Sequence, residues 1–133
     1  MGPVEIQRID PSQGELPPDY QPHFQGTARM QGFTSPFAHG PAVFAVHFDA
    51  GGRTRPHAHR SGQVLHVTAG RGLVVTEAGR REVTPGDVVT VLPGEWHWHG
   101  GTPVSAMTHL TVQMPGPADI DWDVDERDWA RGY

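Results

Sequence analysis

Nine histidines stand in this 133-residue sequence, and six of them (57, 59, 66, 97, 99 and 109) fall within one stretch of 53 residues. His57-Ala58-His59 and His97-Trp98-His99 each repeat the ring at i and i+2. Side chains alternate between the faces of a strand, so the two rings of each pair point one way. Gln63 lies six residues after His57, and a continuing extended chain would keep it on that face. His109, Thr111 and Gln113 share a face in a later segment. Imidazole is the commonest protein metal ligand and the usual acid or base near neutral pH. These residues therefore describe a centre that holds an ion, moves a proton, or does both. A single inward histidine is more often a hydrogen-bonded core residue, so the weight rests on the matched parity of two pairs and a fifth ring. His23, His39, His47 and His66 are given no role, and parity turns His47 and His66 away from the common interior.

The elements that must position these residues read as short strands. Val43 to Phe48 alternates with period two and puts Phe44, Val46 and Phe48 on one face. Further strands are expected at Gln63 to Thr68, Gly72 to Glu77, Arg81 to Val83, Val88 to Leu92, Trp96 to His99 and Val104 to Gln113. Turn signals such as Gly51-Gly52, Pro85-Gly86-Asp87 and Pro93-Gly94-Glu95 separate them, the pattern of a sandwich or small barrel. Curling such a sheet brings its inward faces together, and with them the histidines. Trp96 and Trp98 have the opposite parity to His97 and are expected outside, at a subunit contact.

Residues 1–40 read as an arm punctuated by Pro11, Pro17, Pro18 and Pro22, built of an ordered edge strand and packing loops. Its apolar residues Phe24, Met30, Phe33 and Phe37 can pack on a barrel exterior or across its mouth. Residues 119–128 hold six acids. Trp122 and Trp129 in this tail are expected to dock on the outside of the barrel.

Composition removes several classes of function. The net charge is −5 and all ten cations are arginine, which leaves no basic patch to displace phosphate counterions, so no nucleic acid is expected. Exclusive arginine use suits a high-GC, actinomycete-like source. The absence of cysteine excludes disulfides, thiolate catalysis and cysteine-based zinc or iron–sulfur sites. The opening Met1-Gly2-Pro3-Val4-Glu5-Ile6 lacks the apolar core of a secretory leader. No run approaches the ~18 apolar residues of a membrane span. The expectation is one soluble, cytoplasmic domain with no membrane partner.

Two motifs carry a family likeness. Gly51-x5-His57-x-His59-x3-Gln63-x6-Gly70 resembles the first motif of the cupins, with glutamine in the place usually held by glutamate. Gly86-Asp87-x4-Leu92-Pro93-Gly94-x2-His97 resembles the second. Leu92 stands where the family often has proline and Gly101 where it often has asparagine; neither position is a ligand. The likeness spans about residues 42–114. It implies an all-β fold, a small cupin barrel (double-stranded β-helix or jelly roll), with an arm over 1–40, a core over 41–114 and a tail over 115–133. It also implies pairing of barrels into a homodimer.

The resemblance makes His57, His59, Gln63 and His97 the ligands of one divalent metal ion, zinc first, with manganese, iron or nickel also accepted. The chemistry of the donors agrees, since imidazoles and an amide oxygen are uncharged, borderline ligands. Without a carboxylate the ion keeps its full charge and acts as a stronger Lewis acid towards an anionic ligand. His109 and His99 follow as acid/base groups, His109 being the alternative fifth ligand. Phe44, Val46, Leu65, Val67, Met107 and Gln113 are expected in the substrate pocket, although the apolar members serve equally as ordinary barrel core.

Bacterial cupin hydroxynitrile lyases and resistomycin-type polyketide cyclases both resemble this chain through His-x-His-x3-Gln, Pro-Gly-Glu-Trp-His-Trp-His-Gly (93–100) and Ala-Met-Thr-His (106–109). Both chemistries polarise a carbonyl and transfer a proton without net oxidation. The first expectation is a metal-dependent, non-oxidative enzyme for aldol-type cyclisation of an aromatic polyketide precursor, a small-molecule carbonyl substrate. The alternatives are a hydroxynitrile lyase, a metal-dependent dioxygenase and a non-catalytic cupin that binds a small ligand.

Overall fold

Alternation of apolar and polar residues becomes a strand wherever one sheet face is buried, and here nearly every such stretch does so. A computed structural model describes residues 4–33 and 40–120. Phe37, His39, Trp122 and Trp129, and with the last two the expected docking of the tail, lie outside the described residues. A 3-10 turn, Gln21–His23, precedes twelve strands. They are β1 (Phe24–Gln25), β2 (Ala28–Gly32), β3 (Ala42–Phe48), β4 (Arg53–Thr54), β5 (His57–His59) and β6 (Gln63–Gly70). The chain continues through β7 (Gly72–Thr76), β8 (Gly79–Val83), β9 (Val88–Val91), β10 (His97–Gly101), β11 (Met107–Gln113) and β12 (Ala118–Ile120).

Two antiparallel sheets form. One runs β2-β3-β11-β6-β9; the other runs β1-β4-β10-β5-β12, with β7 joining β10 to β8. The core lies between them. Ala28, Val46, Phe48, Val67 and Met107 from the first sheet meet Val74 and Val83 from the second. Within the arm, β2 is an edge strand on β3 and β1 pairs with β4, so both sheets extend into it.

Turn chemistry sets the ends of the elements. The last long strand starts at Met107 rather than Val104, because Thr102 and Ser105 close a polar turn over the intervening residues. Their hydroxyls lie 2.5 Å apart and the Val104 N–H donates to Thr102 Oγ1 at 3.2 Å. Gly70 ends β6 at φ +77°, and a Cβ built there would overlap the Ala106 carbonyl oxygen. Glycine alone combines that left-handed conformation with so close an approach of two backbones.

Trp98 faces away from the histidines, as its parity requires, but it is not an exposed contact residue. It is 0% exposed, packs with Val75 and Leu73, and lies under the guanidinium groups of Arg53 and Arg80 at 5.0 and 5.8 Å. The arginines cover the indole face by cation–π contact.

Candidate metal centre

Cross-strand register decides which side chains meet. His97 of β10 stands directly opposite His57 of β5, so the two rings share a face, with centroids 4.3 Å apart. His59 joins them from the same strand as His57. Ring nitrogens of His57, His59 and His97 lie within 4.8 Å of one another, and all three residues are buried.

Gln63 arrives differently from the expectation. The chain does not continue extended from His59 but turns through Arg60-Ser61-Gly62, with Gly62 at φ +78°, and enters the opposite sheet at the head of β6. Gln63 therefore faces the histidines across the interior. Cross-strand pairing sets it beside Gln113 of β11, and its Nε2 donates to Gln113 Oε1 at 3.3 Å. That bond leaves Gln63 Oε1 as the atom offered to the centre.

Whether these residues fit an ion is answered by their unused atoms. His57 Nδ1 donates to the Arg55 carbonyl at 2.7 Å and His97 Nδ1 donates to the Glu95 carbonyl at 3.1 Å. Each bond fixes the tautomer and leaves the Nε2 lone pair, the usual arrangement of a metal-binding imidazole. His97 Nε2, Gln63 Oε1 and both nitrogens of His59 are buried without a hydrogen-bond partner. Polar atoms left so are costly, and a divalent cation among three imidazoles and an amide oxygen would satisfy His97 Nε2, Gln63 Oε1 and one nitrogen of His59. The residues fit the group.

His99 and His109 form a second feature that joins the two sheets. Their Nδ1 and Nε2 lie 3.1 Å apart, and Thr111 Oγ1 lies 3.1 Å from His109 Nδ1. Phe48 presses on both rings, with centroids at 5.7 and 5.6 Å. His109 bonds to His99 and Thr111 with its two nitrogens, which makes it a relay between them.

Burial sets the charge of all these rings. Desolvation is the largest cause at each of His57, His59, His97, His99 and His109, and it disfavours the imidazolium. His97 falls to about 4 and His109 to about 3, while His57 and His99 lie well below the usual value. Neighbouring imidazoles push the same way at His57, His97, His99 and His109. At neutral pH the rings are neutral, the form that binds a metal and accepts a proton.

The same shifts predict acid lability. A histidine in the unfolded chain takes up a proton near 6.5, whereas these folded rings resist until far lower pH. The unfolded state thus binds more protons between those limits, and stability falls as pH falls. The contribution is whole above about pH 6.5 and drains away towards the folded values. The urea midpoint of ion-free protein is expected to decline steadily from pH 7 to 4.5, and a flat profile would contradict neutral burial.

A cavity of about 650 Å³ opens beside the histidines. His57, Gln63, His99, His109, Thr111 and Gln113 form its chemical end, and Phe44 and Val46 form part of its apolar wall. Leu65, Val67 and Met107, expected in that wall, do not line it; they are fully buried. Strand register alone could not show how deep each inward side chain sits.

The arm supplies the wall that sequence reading left open. Tyr20, His23, Phe24, Met30 and Phe33 line the cavity, which settles the alternative of exterior or mouth in favour of the mouth. His23 is thus a cavity residue, contrary to its omission, and packs on Tyr20 with centroids 5.4 Å apart. The Tyr20-to-His23 spacing of one helical turn behind Pro17-Pro18 was the available signal. Ile120 also reaches the cavity, because β12 pairs with β5 and sets Ile120 opposite His57. His66 is exposed. His47 is buried on the outer face of β3, between Thr108 Oγ1 at 2.8 Å and Gln31 Oε1 at 3.0 Å.

A family model described as a cupin domain matches residues 44–112. An (R)-mandelonitrile lyase of Granulicella tundricola is 44% identical over 124 residues, covering 90% of this chain and 92% of that protein. A cupin-like protein of Thermotoga maritima superposes with a TM-score of 0.70 at 31% identity, covering 74% of this chain and 78% of the other. The polyketide cyclase RemF of Streptomyces resistomycificus superposes with a TM-score of 0.72 at 18% identity, covering 87% and 85%, a likeness of fold alone. No helix among the described residues is long and apolar enough to cross a membrane.

Proposed function

The chain belongs to the cupin family, and on that premise we propose that it is a metal-dependent lyase acting on the carbon–carbon bond of an aryl cyanohydrin. Such a reaction converts R–CH(OH)–CN into R–CHO and HCN, and the reverse adds cyanide to an aldehyde. The observation that carries the reading is a neutral histidine pair, His99 and His109, lining one cavity together with His57 and Gln63 of the uncharged donor set, with His59 and His97 buried beside His57. The 44% identity to a mandelonitrile lyase over nearly the whole chain supports this substrate class over the polyketide.

A divalent ion, when bound, supplies Lewis acidity at a substrate oxygen and attraction for an anion. The chain's own residues do the rest. Phe24, Met30, Phe44 and Val46 offer an apolar wall for the aryl group and exclude water. The His99–His109 pair accepts the hydroxyl proton as the carbon–carbon bond electrons leave with cyanide, and returns that proton to give HCN. Thr111, bonded to His109 Nδ1, fixes that ring and completes the proton path.

A second reading stays open because the cavity is roomy. Its volume of about 650 Å³ lies within the roughly 300–1,000 Å³ of pockets for drug-sized ligands, more than one aryl ring needs. Aldol-type closure of a poly-β-ketone would use the same polarisation and proton transfer. The deciding experiment loads the protein separately with zinc, manganese, iron and nickel and follows benzaldehyde release from (R)-mandelonitrile. Metal-dependent release that a chelator abolishes is expected. Absence of release with every ion, with ring closure on a poly-β-ketone surrogate instead, would replace the lyase with the cyclase.

A further inference from the structure

Among the described residues, three hydrogen bonds of Arg55 join two separate parts of this site. Its backbone N–H donates to the His23 carbonyl at 2.8 Å and its guanidinium Nε donates to the Pro22 carbonyl at 2.8 Å. Its own carbonyl accepts from His57 Nδ1 at 2.7 Å. The first two bonds hold the arm turn that carries Tyr20, His23 and Phe24 against the cavity; the third orients a ring of the donor set. The next residue, Pro56, is fully buried. A residue before proline is confined to extended conformations, and the Arg55–Pro56 peptide has no N–H to draw its carbonyl elsewhere. Within that confinement, the two clamps onto the arm bear on the direction of the carbonyl.

We propose that Arg55 is a positioning residue that couples the seating of the arm turn to the orientation of the His57 ring, so that ion binding and arm seating strengthen each other. The inference rests on the reading that His57 holds an ion. Coupling between two sites is reciprocal: what the arm lends to the ion, the ion lends to the arm. Partners that orient a ligand imidazole are worth about 10–100-fold in metal affinity.

A simpler role for Arg55 makes the opposite prediction. A guanidinium near a divalent cation repels it, so charge alone would make Arg55→Ala bind an ion more tightly. Positioning makes the same variant bind more weakly.

The test is competition with a chelator for zinc, together with amide hydrogen exchange at His23, Phe24, Gln25 and Arg55 with and without zinc. Arg55→Ala is expected to lose about 10-fold in zinc affinity, and Arg55→Lys, which keeps a donor for the Pro22 carbonyl, to recover most of it. Arg29→Ala removes a different arm contact, from its Nη1 to the Gln13 carbonyl at 2.9 Å, and should keep the parent affinity. Zinc should slow exchange of the arm amides in the parent and not in Arg55→Ala. Equal or tighter zinc binding by a folded Arg55→Ala would overturn the coupling while leaving the ion reading intact, as would parent arm amides indifferent to bound zinc. A parent protein that takes up no zinc would overturn the ion reading itself, and the coupling with it.

Discussion

His97→Ala is expected to abolish stoichiometric metal binding and, with it, turnover. His97 is 0% exposed, its Nδ1 is committed to the Glu95 carbonyl, and its Nε2 has no other partner. Removing the ring takes away one of four candidate donors, none of them, among the described residues, a carboxylate. Even partners that merely orient ligands are worth about 10–100-fold in metal affinity, so loss of a donor should exceed about 100-fold. Elemental analysis and native mass spectrometry read the metal content, and the rate of cyanohydrin cleavage reads the consequence. His66→Ala on the exposed face of β6 is the control and should change neither. A His97→Ala protein that kept one ion per chain and its rate would remove His97 from the centre.

His109→Gln should separate chemistry from ion binding. His109 belongs to the relay rather than to the cluster of His57, His59 and His97, so metal content should stay whole while the rate falls. A positioned acid/base group contributes about 10²–10⁴-fold, and a loss of kcat in that range is expected. Glutamine is the better replacement than alanine. Alanine would strand His99 Nδ1 and Thr111 Oγ1 in the core at a cost of about 1–3 kcal/mol each, confusing instability with lost catalysis. Thr111→Val, which keeps shape and drops the hydroxyl, should give a smaller loss, on the order of 10-fold. Unchanged kcat in His109→Gln would assign the proton transfer elsewhere.

The two features differ in how they were encoded. The i, i+2 histidines were legible because strand parity is local: once 57–59 and 97–99 are extended, their rings must share faces. The placement of His47 and His66 away from the centre follows from the same rule. Gln63 reached the right place for a different reason from the one parity supplied. Gly62 turns the chain into the opposite sheet, and the residue meets the histidines from across the core. For Leu65, Val67 and Met107 the sequence allows cavity wall and ordinary core equally, and the structure buries them away from the cavity, since parity gives a face and not a depth.

The local pattern by itself determined an all-β chain, most of its long strands, and the shared faces of the paired histidines, while the cupin barrel was implied by the likeness of two motifs. Short-range periodicity and turn residues suffice for that, because each acts within a few positions along the chain. Only the tertiary structure decided how the arm turn at Tyr20–Phe24 walls the cavity, how Arg55 bonds to Pro22 and His23, and how His99 finds His109. Those contacts depend on the curvature of two sheets and on long-range register, where a shift of a single residue would send every side chain of a strand to the other face.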